Sequence, residues 1–305
     1  MNEYLLSVLL GIVEGLTEFL PVSSTAHLRL SEALLGLDLS NGYWKMYTIV
    51  IQLGAILCLP IYFRVRIAEF LATFPNGRRG DRNVLNHPLS LTAIAFGVTA
   101  VPALLLAKVI GKNLESVYVI GTALLIGGVV MWVVDAICGK PRAIVARSVG
   151  AAAAPVPGGY KTNDMEEMTL RQAIWIGACQ ITSALFPGTS RSMSTIAGGQ
   201  LVGMSRPAAL EFSFFLSMPT MIAATGYDLF KSIHHRGGGT GIGVAPADLH
   251  GWLILAIGFV VSFIVAYAVV AWFMRWVRHR GFAPFAVYRI IVGLAVLAWA
   301  VSGAR

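Results

Sequence analysis

The chain has 305 residues, of which 56% are hydrophobic and 12% are charged, and its formal net charge is +8. A soluble domain carries roughly 25% charged residues, so this composition excludes a soluble globular fold and predicts an integral membrane protein. Long apolar runs without strand-like alternation favour helical spans over a membrane barrel. Cations scattered between the runs favour basic cytoplasmic loops, and we expect no binding of nucleic acid.

The first apolar segment, about residues 3–38, contains charged and hydroxyl side chains. Glu14 and Glu18 are four residues apart, so they share one face of a helix. Pro21 breaks that helix, and four polar residues follow within one further turn: Ser23, Ser24, Thr25 and His27. Each half is too short to cross a bilayer, which predicts a re-entrant helix hairpin whose break is buried or lines a wet cavity. The first residues lack a basic signal-peptide region, so we expect this segment to be retained.

Six later stretches have the roughly 20 apolar residues that a transmembrane helix needs. They lie at about 44–62, 89–110, 117–138, 207–230, 252–274 and 284–303. A second broken segment, about 169–204, is interrupted at Pro187 and predicts a second re-entrant hairpin. The expected fold is therefore an all-α polytopic membrane protein with six transmembrane helices and two re-entrant helix hairpins.

The two broken segments also repeat each other. The run G-I-V-E-G-L-T-E-F-L-P-V-S-S from Gly11 aligns with G-A-C-Q-I-T-S-A-L-F-P-G-T-S from Gly177. The alignment pairs Pro21 with Pro187 and Ser24 with Ser190, and a second pair of matching runs ends at Pro60 and Pro219. Each half then holds one hairpin and three spans, and an odd number of spans inverts the second half. The pattern predicts inverted-topology repeats whose site lies at the repeat interface.

The repeats divide the chain into a first half over 1–138, a linker over 139–168 and a second half over 169–305. The Ala-, Pro- and Gly-rich linker predicts a flexible cytoplasmic connection. The glycine-rich stretch at 236–243 does not join a strand to a helix, so we interpret it as an external connector. Three cysteines stand alone in apolar surroundings and are interpreted as small buried hydrophobes: Cys58, Cys138 and Cys179.

Cations concentrate in three connecting segments. The first holds Arg64, Arg66, Arg78, Arg79 and Arg82, the second Lys140, Arg142, Arg147, Lys161 and Arg171, and the third Arg275, Arg278 and Arg280. With six spans and two re-entrant hairpins, all three segments fall on one side, which the positive-inside rule assigns to the cytoplasm. Both termini are then expected on the outer side.

The second break carries residues suited to an anion. Arg191 follows Pro187 at the start of a new helix, where backbone N–H groups favour negative charge. A guanidinium also binds phosphate oxygens with specific geometry. Hydroxyls around it could add phosphate contacts, and the candidates are Ser190, Ser192 and Thr195 together with Ser23 and Thr25 of the first break. Such hydroxyls could equally satisfy backbone groups freed by the breaks.

The first break offers complementary chemistry. Glu14 and Glu18 could hold a divalent cation, and oxygen ligands favour Mg²⁺ or Ca²⁺ over Zn²⁺. Ser24 and His27 are candidates for a nucleophile and a proton-transfer group. Three other polar residues keep open roles: Gln52, Glu211, which could pack against the second hairpin, and Arg289, which could snorkel toward an interface.

At these segments the chain resembles the bacterial undecaprenyl-diphosphate phosphatase family of the bacitracin-resistance type. That family carries E-x-x-x-E followed by F-L-P-(V/I)-S-S-T-x-H, here Glu14 to His27, and P-G-x-S-R-S-x-x-T, here Pro187 to Thr195. Both motifs match in full, and P-F-A-x-Y-R, here Pro284 to Arg289, extends the similarity. The segments 139–169 and 236–243 look longer than is usual in the family.

The resemblance implies a metal-assisted phosphatase of the bacterial cytoplasmic (inner) membrane that removes the terminal phosphate from a C55 polyprenyl diphosphate. The product recycles the lipid carrier for peptidoglycan synthesis, and the family's site opens to the periplasmic side. Broken helices in inverted repeats fit a transporter or flippase for a polyprenyl phosphate equally well, so that alternative stays open. The sequence also leaves open whether Ser24 or an activated water attacks, and whether two copies form a homodimer.

Overall fold

The computed structural model describes residues 2–37, 42–106, 116–139, 160–234, 246 and 248–302. Within these ranges the chain forms eleven α-helices and one short 3₁₀ turn. The helices are α1 Glu3–Thr17, α2 Ser24–Leu35, α3 Gly42–Tyr62, α4 Arg64–Thr73, α5 Pro88–Leu105, α6 Val117–Cys138, α7 Leu170–Leu185, α8 Arg191–Leu201, α9 Arg206–His234, α10 Leu249–His279 and α11 Ala283–Val301.

Six of these helices are long and apolar enough to cross a membrane: α3, α5, α6, α9 up to Tyr227, α10 and α11. They coincide with the six predicted spans, so the prediction of a multi-pass helical membrane protein is confirmed. The predicted end of the second span at 110 lies outside the described residues, as does the glycine-rich stretch 236–243. Many large apolar side chains on these helices are exposed, as expected for surfaces that face lipid.

Two segments interpreted as connections have structure of their own. The sequence predicts Arg64 and Arg66 in a connecting segment, but both belong to α4. This helix follows α3 after Phe63 and buries Phe70. The residues 140–159 of the predicted linker lie outside the described ranges, but 160–168 are folded. This part forms a β-bridge from Thr162 to Met204 and a 3₁₀ turn, so the prediction of a flexible linker is wrong for 160–168.

The helices of the two halves pack crosswise. Helix α1 lies against α10, and α7 lies in the same way against α5, while α3 contacts α9 and α6 contacts α11. Glycines permit the closest approaches: a Cβ on Gly11 would lie 2.9 Å from the carbonyl oxygen of Gly258, and one on Gly177 would lie 2.5 Å from that of Ala95. Each broken segment is therefore held by a helix from the opposite half.

A buried carboxylate joins several helices at one end of the bundle. Asp135, near the end of α6, accepts hydrogen bonds from Arg206 Nε at 2.7 Å and Nη2 at 3.0 Å. It also accepts one from Gln200 Nε2 at 3.1 Å and one from the backbone N–H of Phe282 at 2.9 Å. Asp135 thus fixes the ends of α6 and α8 to the starts of α9 and α11.

Arg66 forms a second network at the same end. Its guanidinium bonds to Glu211 at 3.0 Å and to Asp164 at 2.5 Å. These contacts tie α4 to α9 and to the folded part of the predicted linker, and they give Glu211 a structural role. Glu3 and His250 pair at 2.8 Å, between the starts of α1 and α10 at the opposite end.

Candidate active site

The two helix breaks have the same backbone design. Ser23 precedes α2 with φ 76°, and Ser190 precedes α8 with φ 71°. Each serine hydroxyl accepts a hydrogen bond at 3.4 Å from the N–H three residues later, that of Ala26 or Met193. The structural counterpart of Ser190 is therefore Ser23, one residue earlier than the alignment of the prolines indicated.

The first residues of the two new helices meet at one carboxylate. Ser24 donates its hydroxyl proton to Glu18 Oε2 at 2.5 Å, and Arg191 Nη2 contacts Glu18 Oε1 at 3.4 Å. The Arg191 side chain is 10% exposed and that of Glu18 is 4% exposed, so this ion pair is largely shielded from solvent. The structure thus places a hydroxyl, a base and a cation from both halves of the chain in direct contact.

This cluster lies in a cavity of about 570 Å³. Of the predicted site residues, six line it: Glu18, Ser23, Ser24, Thr25, Ser190 and Arg191. Gln52 lines it as well, and the other walls combine alanines and apolar side chains of α5 and α9 with four polar side chains, those of Thr99, Gln180, Ser183 and Thr220. The lining extends to Leu104 and Tyr227, near the C-terminal ends of those helices. A polar cluster thus adjoins an apolar channel, an arrangement that suits a lipid with a charged head.

Arg289, whose role the sequence leaves open, does not snorkel toward an interface. Its side chain is fully buried and donates to the carbonyl oxygen of Pro21 at 3.1 Å in the first break. In the second break it donates to the carbonyl oxygens of Gly188 and Thr189, both at 3.0 Å. It also donates to the carbonyl oxygen of Ala123 on α6 at 3.1 Å. One guanidinium therefore satisfies backbone groups freed by both breaks and holds the breaks together.

His27 lies beside the cluster and does not line the cavity. Its Nδ1 lies 2.7 Å from the carbonyl oxygen of Ser23, and its Nε2 lies 2.7 Å from the hydroxyl of Tyr288. The two rings are stacked with centroids 5.6 Å apart. Ser24 has Glu18, and not His27, as its hydrogen-bond partner.

Glu14 is fully buried one turn before Glu18 on α1. No donor among the described residues hydrogen-bonds to its carboxylate oxygens, and the group interacts directly with the carboxyl group of Glu18. Burial of two neighbouring carboxylates, one of them without a donor, is costly, so the pair needs a bound proton or cation. The described residues contain no group of three or more His, Cys, Asp or Glu side chains arranged for a metal. A cation here would need further oxygens from the substrate or water.

Two of the predicted hydroxyls, those of Ser192 and Thr195, and the neighbouring hydroxyl of Ser194 bond to other groups of the protein instead of lining the cavity. Ser192 donates to the carbonyl oxygen of Leu20 at 2.9 Å, which ties α8 to the first break. Thr195 lies 2.6 Å from the hydroxyl of Ser213 on α9. Ser194 donates to the carbonyl oxygen of Ser190 at 3.2 Å. These three side chains stabilise the second break and leave Ser190 and Arg191 facing the cavity.

Sequence reasoning missed two contributors. Tyr288 holds His27, and its only signal was its place in the P-F-A-x-Y-R run beside Arg289. Gln180 aligns with Glu14 in the repeat and lines the cavity. Its Nε2 donates to Thr220 at 3.1 Å, whereas its Oε1 is buried with no hydrogen-bond partner in the described part of the chain. The alignment with a site glutamate could have identified it.

The family assignment rests on nearly the whole chain. The family model described as Bacitracin resistance protein BacA matches residues 7–295. An undecaprenyl-diphosphatase of Koribacter versatilis is 64% identical over 99% of this chain and 100% of its own length. Those of Caldanaerobacter subterraneus and Bradyrhizobium sp. are 38% and 40% identical, and each alignment covers 96% or more of both chains. The chain belongs to the BacA family of bacitracin resistance proteins.

Proposed function

We propose that this membrane protein hydrolyses undecaprenyl diphosphate to undecaprenyl phosphate and inorganic phosphate, which returns the lipid carrier to peptidoglycan synthesis. The relatives named above carry this activity in their names. The observation in the structure that supports it best is the contact of Ser24 and Arg191 with one carboxylate, Glu18, at the polar end of an apolar cavity.

The geometry supports Ser24 as the nucleophile and Glu18 as its base. The Ser24 oxygen would attack the terminal phosphorus while its proton moves to Glu18 Oε2. The bond from that phosphorus to the bridging oxygen then breaks, and undecaprenyl phosphate leaves. Water would next hydrolyse the phosphoserine and release phosphate. Arg191 stabilises the negative charge that spreads over the phosphoryl oxygens, which is the main demand of phosphoryl transfer.

The rival mechanism has a water molecule attack while Ser24 only donates a hydrogen bond to a phosphate oxygen. Trapping by rapid acid quench discriminates between them. Attack by Ser24 leaves a phosphorylated peptide that contains Ser24 and is absent from Ser24→Ala. Direct attack by water gives phosphate release with no phosphorylated peptide at any quench time.

We also propose that Glu14 and Glu18 hold a divalent cation, Mg²⁺ or Ca²⁺, during the reaction. The support is the pair of unpartnered, buried oxygens of Glu14, since Mg²⁺ is commonly held by one or two carboxylates plus substrate phosphate oxygens. When bound, such an ion neutralises diphosphate charge. Arg191 and Arg289 together place two positive charges near the breaks, so the net charge of Glu14 and Glu18 is balanced without a metal ion. The charge that a divalent cation would neutralise is that of the bound diphosphate.

The two halves are further proposed to be inverted-topology repeats with re-entrant hairpins. The crosswise packing of α1 on α10 and of α7 on α5, and the matching caps at Ser23 and Ser190, support this proposal. The basic segments adjoin the networks of Asp135 and Arg66, so that end is assigned to the cytoplasm. The cavity then opens near Leu104 and Tyr227 on the outer side of a bacterial inner membrane.

Purified protein in detergent tests hydrolysis without any membrane sidedness. We expect phosphate release from undecaprenyl diphosphate, and loss of one charge-assisted contact in Arg191→Ala should lower kcat/KM on the order of 10²-fold. Arg29→Ala, on the surface of α2, is the matched control and should keep wild-type activity. A folded wild type that releases no phosphate with any divalent cation would favour the flippase alternative, which the names of the relatives do not favour.

A further inference from the structure

His27 has both ring nitrogens engaged away from the reacting groups. A carbonyl oxygen can only accept, so Nδ1 carries the proton that it donates to Ser23, and in the neutral ring Nε2 accepts from the Tyr288 hydroxyl. Ser24 donates to Glu18. The imidazole is therefore placed to hold the backbone of the break, and it has no free nitrogen for a proton from substrate.

The second break shows the same contact made by a residue that cannot act as an acid or base there. Ser194 stands four residues after Ser190, as His27 stands four residues after Ser23. Its hydroxyl donates to the Ser190 carbonyl oxygen at 3.2 Å, and its backbone N–H donates to the same oxygen at 3.1 Å. In the first break the backbone N–H of His27 likewise donates to the Ser23 carbonyl oxygen, at 3.2 Å.

The backbone conformation at Ser23, which its carbonyl contacts help to hold, determines where the Ser24 hydroxyl lies. Ser23 has φ 76°, a conformation that non-glycine residues rarely adopt without support from their surroundings. Ser24 is the next residue, so a rotation at Ser23 would carry its hydroxyl away from Glu18. Tyr288 fixes the imidazole from the side opposite Ser23, and the adjacent Arg289 holds the carbonyl of Pro21 in the same break.

We propose that His27 and Tyr288 are positioning residues: together they hold the Ser23 carbonyl and so keep the Ser24 hydroxyl on Glu18. The role rests on the proposed hydrolase function. It requires hydrogen-bond donation from the Nδ1 position and contact with Tyr288, and it requires no change of protonation at His27 during turnover.

Two amide replacements separate positioning from proton transfer. In His27→Asn the amide nitrogen lies near the position of Nδ1 and can still donate to Ser23, whereas in His27→Gln it lies near the position of Nε2. We expect His27→Asn, which keeps the donor to Ser23 but loses the contact with Tyr288, to lower kcat only on the order of fivefold, with KM unchanged. His27→Gln and His27→Phe should lower kcat on the order of 10²-fold through misplacement of the nucleophile.

The pH profile supplies a readout that loss of a proton-transfer group would change and loss of a positioning contact would not. We expect kcat/KM of His27→Asn to follow the wild-type profile from about pH 5 to about pH 9. An Asn variant as inactive as the Phe variant, or one that loses a limb of the profile, would overturn the proposal. So would wild-type activity in all three variants. A wild type that releases no phosphate would instead refute the hydrolase function itself.

Tyr288→Phe tests the other half of the proposal. Removal of this hydroxyl should lower kcat on the order of fivefold, the worth of one neutral hydrogen bond, and leave KM unchanged. Tyr118→Phe is the matched control, because that hydroxyl donates to the carbonyl oxygen of Ala300 at 3.0 Å, away from the breaks. Equal kcat in Tyr288→Phe and Tyr118→Phe would contradict a positioning role for Tyr288.

Discussion

The two helix breaks share one backbone design and present different chemistry from it. Ser23 and Ser190 take the same left-handed conformation and cap the helix that follows. The next residue is Ser24 in the first break and Arg191 in the second, and both contact Glu18. One scaffold position thus supplies a hydroxyl in one half and a cation in the other.

The carboxylates show the same division. In the repeat alignment Glu14 and Glu18 of the first break stand opposite Gln180 and Ala184 of the second. A phosphoryl-transfer site needs a base and a cation together, and neither break holds both. The proposed site therefore forms only where the two breaks meet, and each half supplies a group that the other lacks.

Glu18→Gln should produce the largest loss, because Glu18 is the residue that both breaks share. An amide cannot take the proton of Ser24 and does not neutralise Arg191, so kcat should fall by about 10³-fold or more. Phosphate release from undecaprenyl diphosphate measures it. Glu69→Gln, which changes a carboxylate in the Arg66 network, is the control. Activity within tenfold of wild type in Glu18→Gln would remove the residue from the reaction.

Arg289→Met should be next, because it leaves buried carbonyl oxygens without a donor in both breaks. Lost hydrogen bonds to a charged group should cost on the order of 3 kcal/mol of unfolding free energy, with a large fall in kcat. Thermal unfolding in detergent and phosphate release measure the two effects. Unchanged stability would show that Arg289 does not hold the breaks together.

Gly127→Ala offers a milder test of the same contact. A Cβ at this position would collide with the guanidinium of Arg289, although alanine favours the α6 helix by about 1 kcal/mol. We therefore expect lower kcat in spite of the improved helix propensity. Gly97→Ala, on α5, serves as the control, because among the described residues outside the helix's own nearby backbone no atom lies within 4 Å of the added Cβ. Equal activity in both alanine variants would show that Arg289 need not keep this place.

Glu14→Gln should have a smaller effect that depends on cation concentration. If Glu14 helps to hold Mg²⁺ or Ca²⁺, its amide variant should need on the order of tenfold more cation for half-maximal activity. Chelator should abolish wild-type activity, and either ion should restore it. Full activity of the wild type in excess EDTA would refute the cation and leave Glu14 a role in proton transfer or water orientation.

The smallest effects should come from the caps. Ser23→Ala and Ser190→Ala lose the hydroxyl that caps the helix and keep the Cβ that serine already has at positive φ, so each should cost about 1 kcal/mol. Ser23→Gly and Ser190→Gly relieve the strain of the positive φ, so their free energies of unfolding should be closer to that of the wild type. If the breaks share a scaffold, the two positions should lose similar stability. A large difference in unfolding free energy between the Ala and Gly variants at only one position would show that the two breaks do not share one backbone design.

Much of the fold could be predicted, because the length of each apolar run and the positions of charged residues determine the spans from local sequence alone. The six spans and the breaks near Pro21 and Pro187 follow from composition and proline chemistry. Helix α4 was missed because its arginines look like a loop signal, whereas Phe70 buries one side of the helix. The predicted alignment of the two breaks was wrong by one residue. The prolines determined how the sequences were aligned, whereas the serine at positive φ determines where each new helix begins.

The candidate site was only partly predictable, for a different reason. Sequence identified Glu18, Ser24 and Arg191 as polar residues in broken helices, but their mutual contact depends on the packing of opposite halves. Arg289 could not be assigned because an arginine in a span snorkels or binds carbonyls according to what surrounds it. Only the folded chain brings its guanidinium to the two breaks.

A double-mutant cycle on Glu18 and Arg191 tests most directly whether the two breaks form one site. Glu18→Gln, Arg191→Gln and the double variant are compared by kcat/KM for undecaprenyl diphosphate, with folding checked by thermal unfolding. When two residues act as a unit, removal of either one already abolishes their joint contribution. The kcat/KM of the double variant should therefore be at most about tenfold lower than that of the less active single variant. Losses that multiply would contradict the account, because they would mean that the two breaks contribute independently.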